Sequence, residues 1–109
     1  MAHGRAAATG GTGTLNPDEV RSTVGRALGG IKACYERALR RDPTLQGRVT
    51  ISFTIGATGR VTRAVPSNDT IGSAVSGCVA DRFRLISVSP PRNGTVTFSY
   101  PFIFQPALQ

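Results

Sequence analysis

Two cysteines, Cys34 and Cys78, are the residues of this chain best suited to covalent chemistry. Brought together, two thiols can close a disulfide; kept apart, each behaves as a small buried hydrophobe. Zinc would need further sulfur or imidazole donors. The sequence offers no CxxC pair, and its single histidine, His3, stands in the first few residues, so a metal site is not expected. Acid–base chemistry is equally thin. Of six acids, Asp18, Glu19 and Asp69 suit helix starts and Asp42 a helix end. Glu36 and Asp81 remain, as partners of nearby arginines. With no GxSxG and no Walker loop, neither an enzyme nor a cofactor is expected. What stands out is charge: 12 arginines and one lysine against six acids, net +7. Such a surface attracts nucleic acid, anionic lipid or acidic cell-wall polymer without choosing among them.

The elements that must position these residues are signposted. The chain has 109 residues, enough for one small domain. No apolar run approaches the roughly 18 residues a membrane span needs. The opening "MAHGRAAATGGTGT" is small and Gly-rich, and residues 1–14 read as a flexible linker or added tail, ahead of a domain over 15–105 and a short tail at 106–109. Asn16 can cap a first helix, Pro17 suits its first position, and Glu19 completes a capping box, with Leu15 and Val20 as hydrophobic staple. Val20, Val24, Ala27, Leu28, Ile31, Tyr35, Ala38 and Leu39 keep helical spacing on one face. Arg21, Arg26, Arg37, Arg40 and Arg41 lie mostly off it and form a basic face. Asp42-Pro43 ends the helix.

A hairpin follows. Val49, Ile51, Phe53 and Ile55 alternate with polar residues, Gly56-Ala57-Thr58-Gly59 turns, and a second strand runs to about Pro66. Arg63 falls between Val61 and Val65 on what should be one face, which predicts a bulge or an exposed edge. Asp69 or Thr70 caps a second helix with the stripe Ile71, Val75, Cys78, Val79 and Phe83. The last strand sets Val96, Phe98, Tyr100, Phe102 and Phe104 on one face.

The order α-β-β-α-β predicts an α+β fold. Its sheet is three-stranded and antiparallel, in order 2-1-3, with two helices packed on one face. Pro101 places the last strand at an edge, because proline cannot donate to a ladder on both sides. That edge, with Thr95, Thr97, Ser99 and Pro101, is the candidate surface for adding a partner strand. The aromatic stripe of the same strand could stack bases, but the helices need that face, and no nucleic acid is expected. "GATG" has the form of a KH-domain phosphate clamp, yet joins strands rather than helices. Cys34 and Cys78 fall on the two helices that should touch. A disulfide is therefore favoured over two buried thiols, and it implies an oxidising compartment such as a bacterial periplasm.

These residues also carry a family resemblance. "GRVTISFTIGATGRV" from Gly47 to Val61, a helix, a proline-containing loop and "TVTFSYPFIF" resemble the C-terminal domain of TonB. "IKACYERAL" and "SGCVADRF" are similar to the AgmX/PglI branch of that superfamily, from gliding bacteria. The resemblance covers about residues 18–104. It implies a periplasmic protein–protein interaction domain of an inner-membrane-anchored, envelope-spanning protein. Its partner would be a segment of an outer-membrane or periplasmic protein, and a homodimer stays open. The Tyr-Pro motif before the first strand is lacking, and Phe83 stands where TonB proper has Trp. Those departures point to a gliding-motility machinery rather than transporter coupling. An alternative is a basic module that binds an anionic envelope polymer through the helix-one arginines.

Overall fold

Asn16 starts the first helix as its residue type predicts: its side-chain oxygen accepts a hydrogen bond from the Asp18 N–H at 2.9 Å, and Pro17 takes the first helical position. In the computed structural model, which describes residues 2–3 and 7–106, this helix, α1, runs Pro17–Leu39. It stops short of Asp42-Pro43. The Asp42 carboxylate accepts from the Thr44 N–H and hydroxyl, while the Arg41 and Asp42 N–H groups both fold back onto the Ala38 carbonyl. That local bonding competes with helix continuation.

Two short strands, β1 (Ala2–His3) and β2 (Ala7–Gly10), precede α1. β3 (Gly47–Ile55), β4 (Val61–Ser67), α2 (Ser73–Arg84) and β5 (Val96–Phe104) follow. The fold is a small α+β domain with two helices and an antiparallel sheet. The pairings β4-β3-β5 give the expected 2-1-3 order. The sheet is not three-stranded, however. β1 and β2 both pair antiparallel with β5 along its outer side, so among the described residues five strands fill four positions. Within residues 1–14, expected as a flexible linker or added tail, Ala2–His3 and Ala7–Gly10 are extended and paired with β5. Main-chain groups can pair without any apolar pattern, so a Gly- and Ala-rich stretch joins a sheet with no periodicity to announce it. Residues 1, 4–6 and 107–109 lie outside the described residues, and with them most of the expected 106–109 tail.

The strand registers put Val49, Ile51, Phe53 and Ile55 of β3 on one buried face beside Val96, Phe98, Tyr100, Phe102 and Phe104 of β5. α2 lays Phe83 on this face, its ring 4.9 Å from Phe53 and 5.8 Å from Phe102. α1 adds Val20, Val24, Ile31 and Tyr35. The Tyr35 ring lies 5.0 Å from Phe104, and its hydroxyl donates to the Leu45 carbonyl at 2.5 Å. The bulge predicted near Arg63 is real: Thr54 pairs with Arg63 and Ile55 with Val61, leaving Thr62 as the extra residue. It shifts the alternation, so Ala64 is buried and Val65 faces outward at 37% exposure.

Two polar anchors differ from the expected capping. α2 begins after Gly72, and Asp69 serves it from outside. One carboxylate oxygen accepts from the Ile71 and Gly72 N–H groups, and the other from the buried Ser76 hydroxyl at 2.6 Å. Glu19 does not complete a capping box. Its carboxylate accepts from the Ser89 N–H at 2.9 Å and the Ser89 hydroxyl at 2.8 Å, tying α1 to the loop between α2 and β5.

Candidate functional site

Cys34 lies on the buried side of α1 and Cys78 on the side of α2 that meets it. Their sulfurs are bonded, with the Cα atoms 5.8 Å apart. The bond closes a loop with a sequence separation of 44. In the chain-entropy model that stabilises by on the order of 4 kcal/mol. One Arg37 guanidinium nitrogen lies 3.1 Å from the Cys78 sulfur. Beside the bond a groove of about 500 Å³ runs between the helices, its walls including Leu45, Ile71 and Val75 with the exposed Arg37 and Arg41.

The five arginines expected on one basic face are not equivalent. Arg21 is held by Asp18 at 2.6 Å. Arg26 donates to the Thr23 hydroxyl and lies near Glu19. Glu19 is held below the usual carboxylate range first by the Ser89 N–H, then by the Ser89 hydroxyl, with burial opposing and Arg26 adding a little. Arg37, Arg40 and Arg41 are exposed around the C-terminal end of α1 and form no ion pair among the described residues. Of these five arginines, the ones free to meet an anion thus gather at one end of the helix.

The expected strand-receiving edge is in place but occupied. The Thr95 carbonyl accepts from the Gly13 N–H at 2.8 Å, and the Thr97 carbonyl from the Thr9 hydroxyl at 3.4 Å. Odd-numbered residues of β5 therefore direct their backbone groups away from β3, and even-numbered ones toward it. Ser99 and Pro101 point outward with Thr95 and Thr97, so the N–H that Pro101 lacks is an outward one. On that side β2 pairs Ala7 with Ser99 and Ala8 with Phe98, then shifts register and pairs Gly10 with Thr97. β1 pairs with Phe102 and Ile103. Pro101 lies between the two paired stretches. The expectation of a vacant β5 edge is thus overturned. Thr97 is further fixed by its hydroxyl, 2.9 Å from that of Thr54 on the helix-free face.

The other margin of the sheet, β4, is blunted. Arg48, at the β4-facing side of β3, exchanges bonds with Thr70, so even-numbered β3 residues face β4. By register Ala64 and Pro66 then point outward. The Arg84 guanidinium of α2 donates to the Ala64 carbonyl at 2.9 Å, and Pro66 has no N–H to offer. Proline and a covering cation are ordinary ways to protect an edge. Arg84 had no signal in the sequence beyond its place in the last turn of α2, where it also pairs with Asp81.

Among known proteins, a tyrosine-protein kinase of Myxococcus xanthus (strain DK1622), MasK, is 33% identical over 89 residues. The match takes in 82% of this chain, which spans only 14% of the length of that relative. No family model matches the chain. No solved structure matches it either.

Proposed function

We propose that this chain is a protein–protein interaction module that receives an extended partner segment along the outer edge of β5. The observation that carries the reading is the sheet itself: an extended stretch already pairs there through main-chain bonds, while β4 is closed to addition by Pro66 and Arg84. Strand addition of this kind takes its affinity from the backbone ladder. The chain carries out no reaction of its own in this reading. The disulfide and the TonB-like pattern support a periplasmic placement, on a parent chain anchored in the inner membrane. The AgmX/PglI resemblance supports a part in a gliding-motility machinery. The partner is then a segment of an outer-membrane or periplasmic protein. Among the described residues no helix is long and apolar enough to cross a membrane.

The test is a photo-reactive residue at Ser99 in cells, with a second at Glu36 as control, combined with Ser99→Pro. Ser99 should yield a discrete cross-linked species that Glu36 does not, and Ser99→Pro should remove an outward N–H and weaken capture while the fold persists. Unchanged capture by a folded Ser99→Pro variant, cross-linked from elsewhere on the surface, would overturn the reading.

One observation favours a second reading. Arg37, Arg40 and Arg41 form no ion pair among the described residues and stand together at the end of α1. They suit an anionic envelope polymer such as peptidoglycan or a polysaccharide. Loss of binding in an Arg40→Ser, Arg41→Ser variant, with β5 variants unaffected, would select it.

A further inference from the structure

The stretch from Ala7 to Thr14 is attached to the domain in an unusual way. Beyond the β2–β5 ladder, the Gly13 N–H donates to the Thr95 carbonyl, Thr14 and Arg92 exchange N–H···O bonds at 2.8 and 2.9 Å, and the Thr12 hydroxyl donates to the Asn93 carbonyl. All of these reach main chain on the domain side. From Thr9 to Thr14 no side chain enters the core; Leu15 is the first to pack against it. Such a segment is held by bonds that water or another strand can replace at little cost.

Its fit is nonetheless selective. A β carbon on Gly11 would stand 2.2 Å from the Thr95 carbonyl oxygen, and one on Gly13 2.2 Å from the Gly94 oxygen and 3.0 Å from that of Arg92. Gly11 also sits at φ +91°, a conformation that glycine adopts freely. The obstacles are backbone atoms, which cannot swing aside as a side chain would. The edge therefore accepts a strand whose far end carries glycine at two positions separated by one residue.

We infer that residues 7–14 are a displaceable plug on the β5 edge, and that the trans partner replacing it is an extended segment carrying a Gly-x-Gly step where Gly11 and Gly13 now lie. This rests on the strand-receiving role proposed above and names its regulation and its partner chemistry. The plug is an intramolecular competitor, so a partner's apparent affinity is reduced by the fraction of molecules in which the edge is open. Glycine is demanded by carbonyl oxygens of the domain that stay in place when one strand is exchanged for another.

The experiment uses the full chain, Gly13→Val, and as a second variant Gly11→Val, with a labelled synthetic peptide of residues 7–15, AATGGTGTL, and its counterpart AATGATATL. Amide hydrogen exchange at Thr97 and Ser99 should speed up by at least about tenfold in both variants while Phe53 and Tyr100 hold their protection. The glycine peptide should bind the variants at least about tenfold more tightly than the parent chain. The alanine peptide should bind at least about tenfold more weakly than the glycine peptide. Unchanged exchange at Thr97 and Ser99, or loss of the core in both variants, would overturn the plug. Equal binding of the two peptides would overturn the glycine requirement. The peptide assay needs no cellular partner. Peptide uptake without cross-linking from Ser99 in cells sinks the interaction role alone, whereas equal capture by the parent chain and Gly13→Val sinks the plug alone.

Discussion

Asp69 illustrates how one side chain can fasten two elements. Burial works against its charged form, yet the Ser76 hydroxyl and the Gly72 and Ile71 N–H groups together hold it below its ordinary value. A carboxyl whose folded pKa is depressed adds stability above its unfolded pKa, near about 3.9, and loses it as pH falls through the folded value. Urea midpoints for the parent chain and Asp69→Asn should therefore differ at pH 7 and draw together below about pH 4. A gap that stays constant across that range would mean that Asp69 acts through geometry and not through charge. The two cysteines form the other fastening, and here the consequence is covalent. Alkylated, non-reduced protein from an oxidising compartment should give a linked Cys34–Cys78 peptide and no free thiol. Replacing both with Ala should cost on the order of 4 kcal/mol in denaturant, given the length of loop released. Two alkylated cysteines would remove both the staple and the argument for an oxidising compartment.

Strands β3 and β5 are legible in the sequence because each must bury one face and wet the other. Val49, Ile51, Phe53 and Ile55, like Val96 to Phe104, leave a period of two that only a half-covered sheet explains. Phe53→Ala and Phe98→Ala should each destabilise by roughly 3–5 kcal/mol, since both rings are fully enclosed. Thr50→Ala, on the helix-free face, should cost well under half as much, and the reverse ranking would place the register one residue off. The helices were legible through their apolar stripes and the cysteines they juxtapose. β4 was legible only as far as its bulge, because the extra residue at Thr62 resets which side chains point inward. β2 left no mark at all. A strand held by backbone bonds on a sheet margin needs only to avoid bulk, and Ala-Ala-Thr-Gly reads the same in a tether as in a ladder. β5 does lie outside β3 in the sheet, as Pro101 predicts, but the strands that pair along it are hidden in residues that resemble a linker.

At the scale of the whole molecule, the two proposed binding surfaces differ in the physics of attachment. The β5 edge presents neutral main-chain groups, shielded on one side by the domain. The end of α1 presents charge: with Arg21 paired to Asp18 and Arg26 beside Glu19, Arg37, Arg40 and Arg41 are the helix-one arginines left to meet an anion. An anionic polymer bound by these residues would release its own counterions, and three such contacts imply roughly a twentyfold loss of affinity between 50 and 200 mM salt. A strand on β5 releases almost none. Its affinity should change by less than about threefold over the same range, because hydrogen bonds between uncharged groups are barely screened. Titrating the captured cellular partner at both salt concentrations therefore reports which surface it uses, independent of any variant. A twentyfold loss would direct attention from β5 to the arginines. A flat response, together with sensitivity to Ser99→Pro, would leave the net charge of +7 a role in drawing the domain toward an anionic envelope and none in holding its partner.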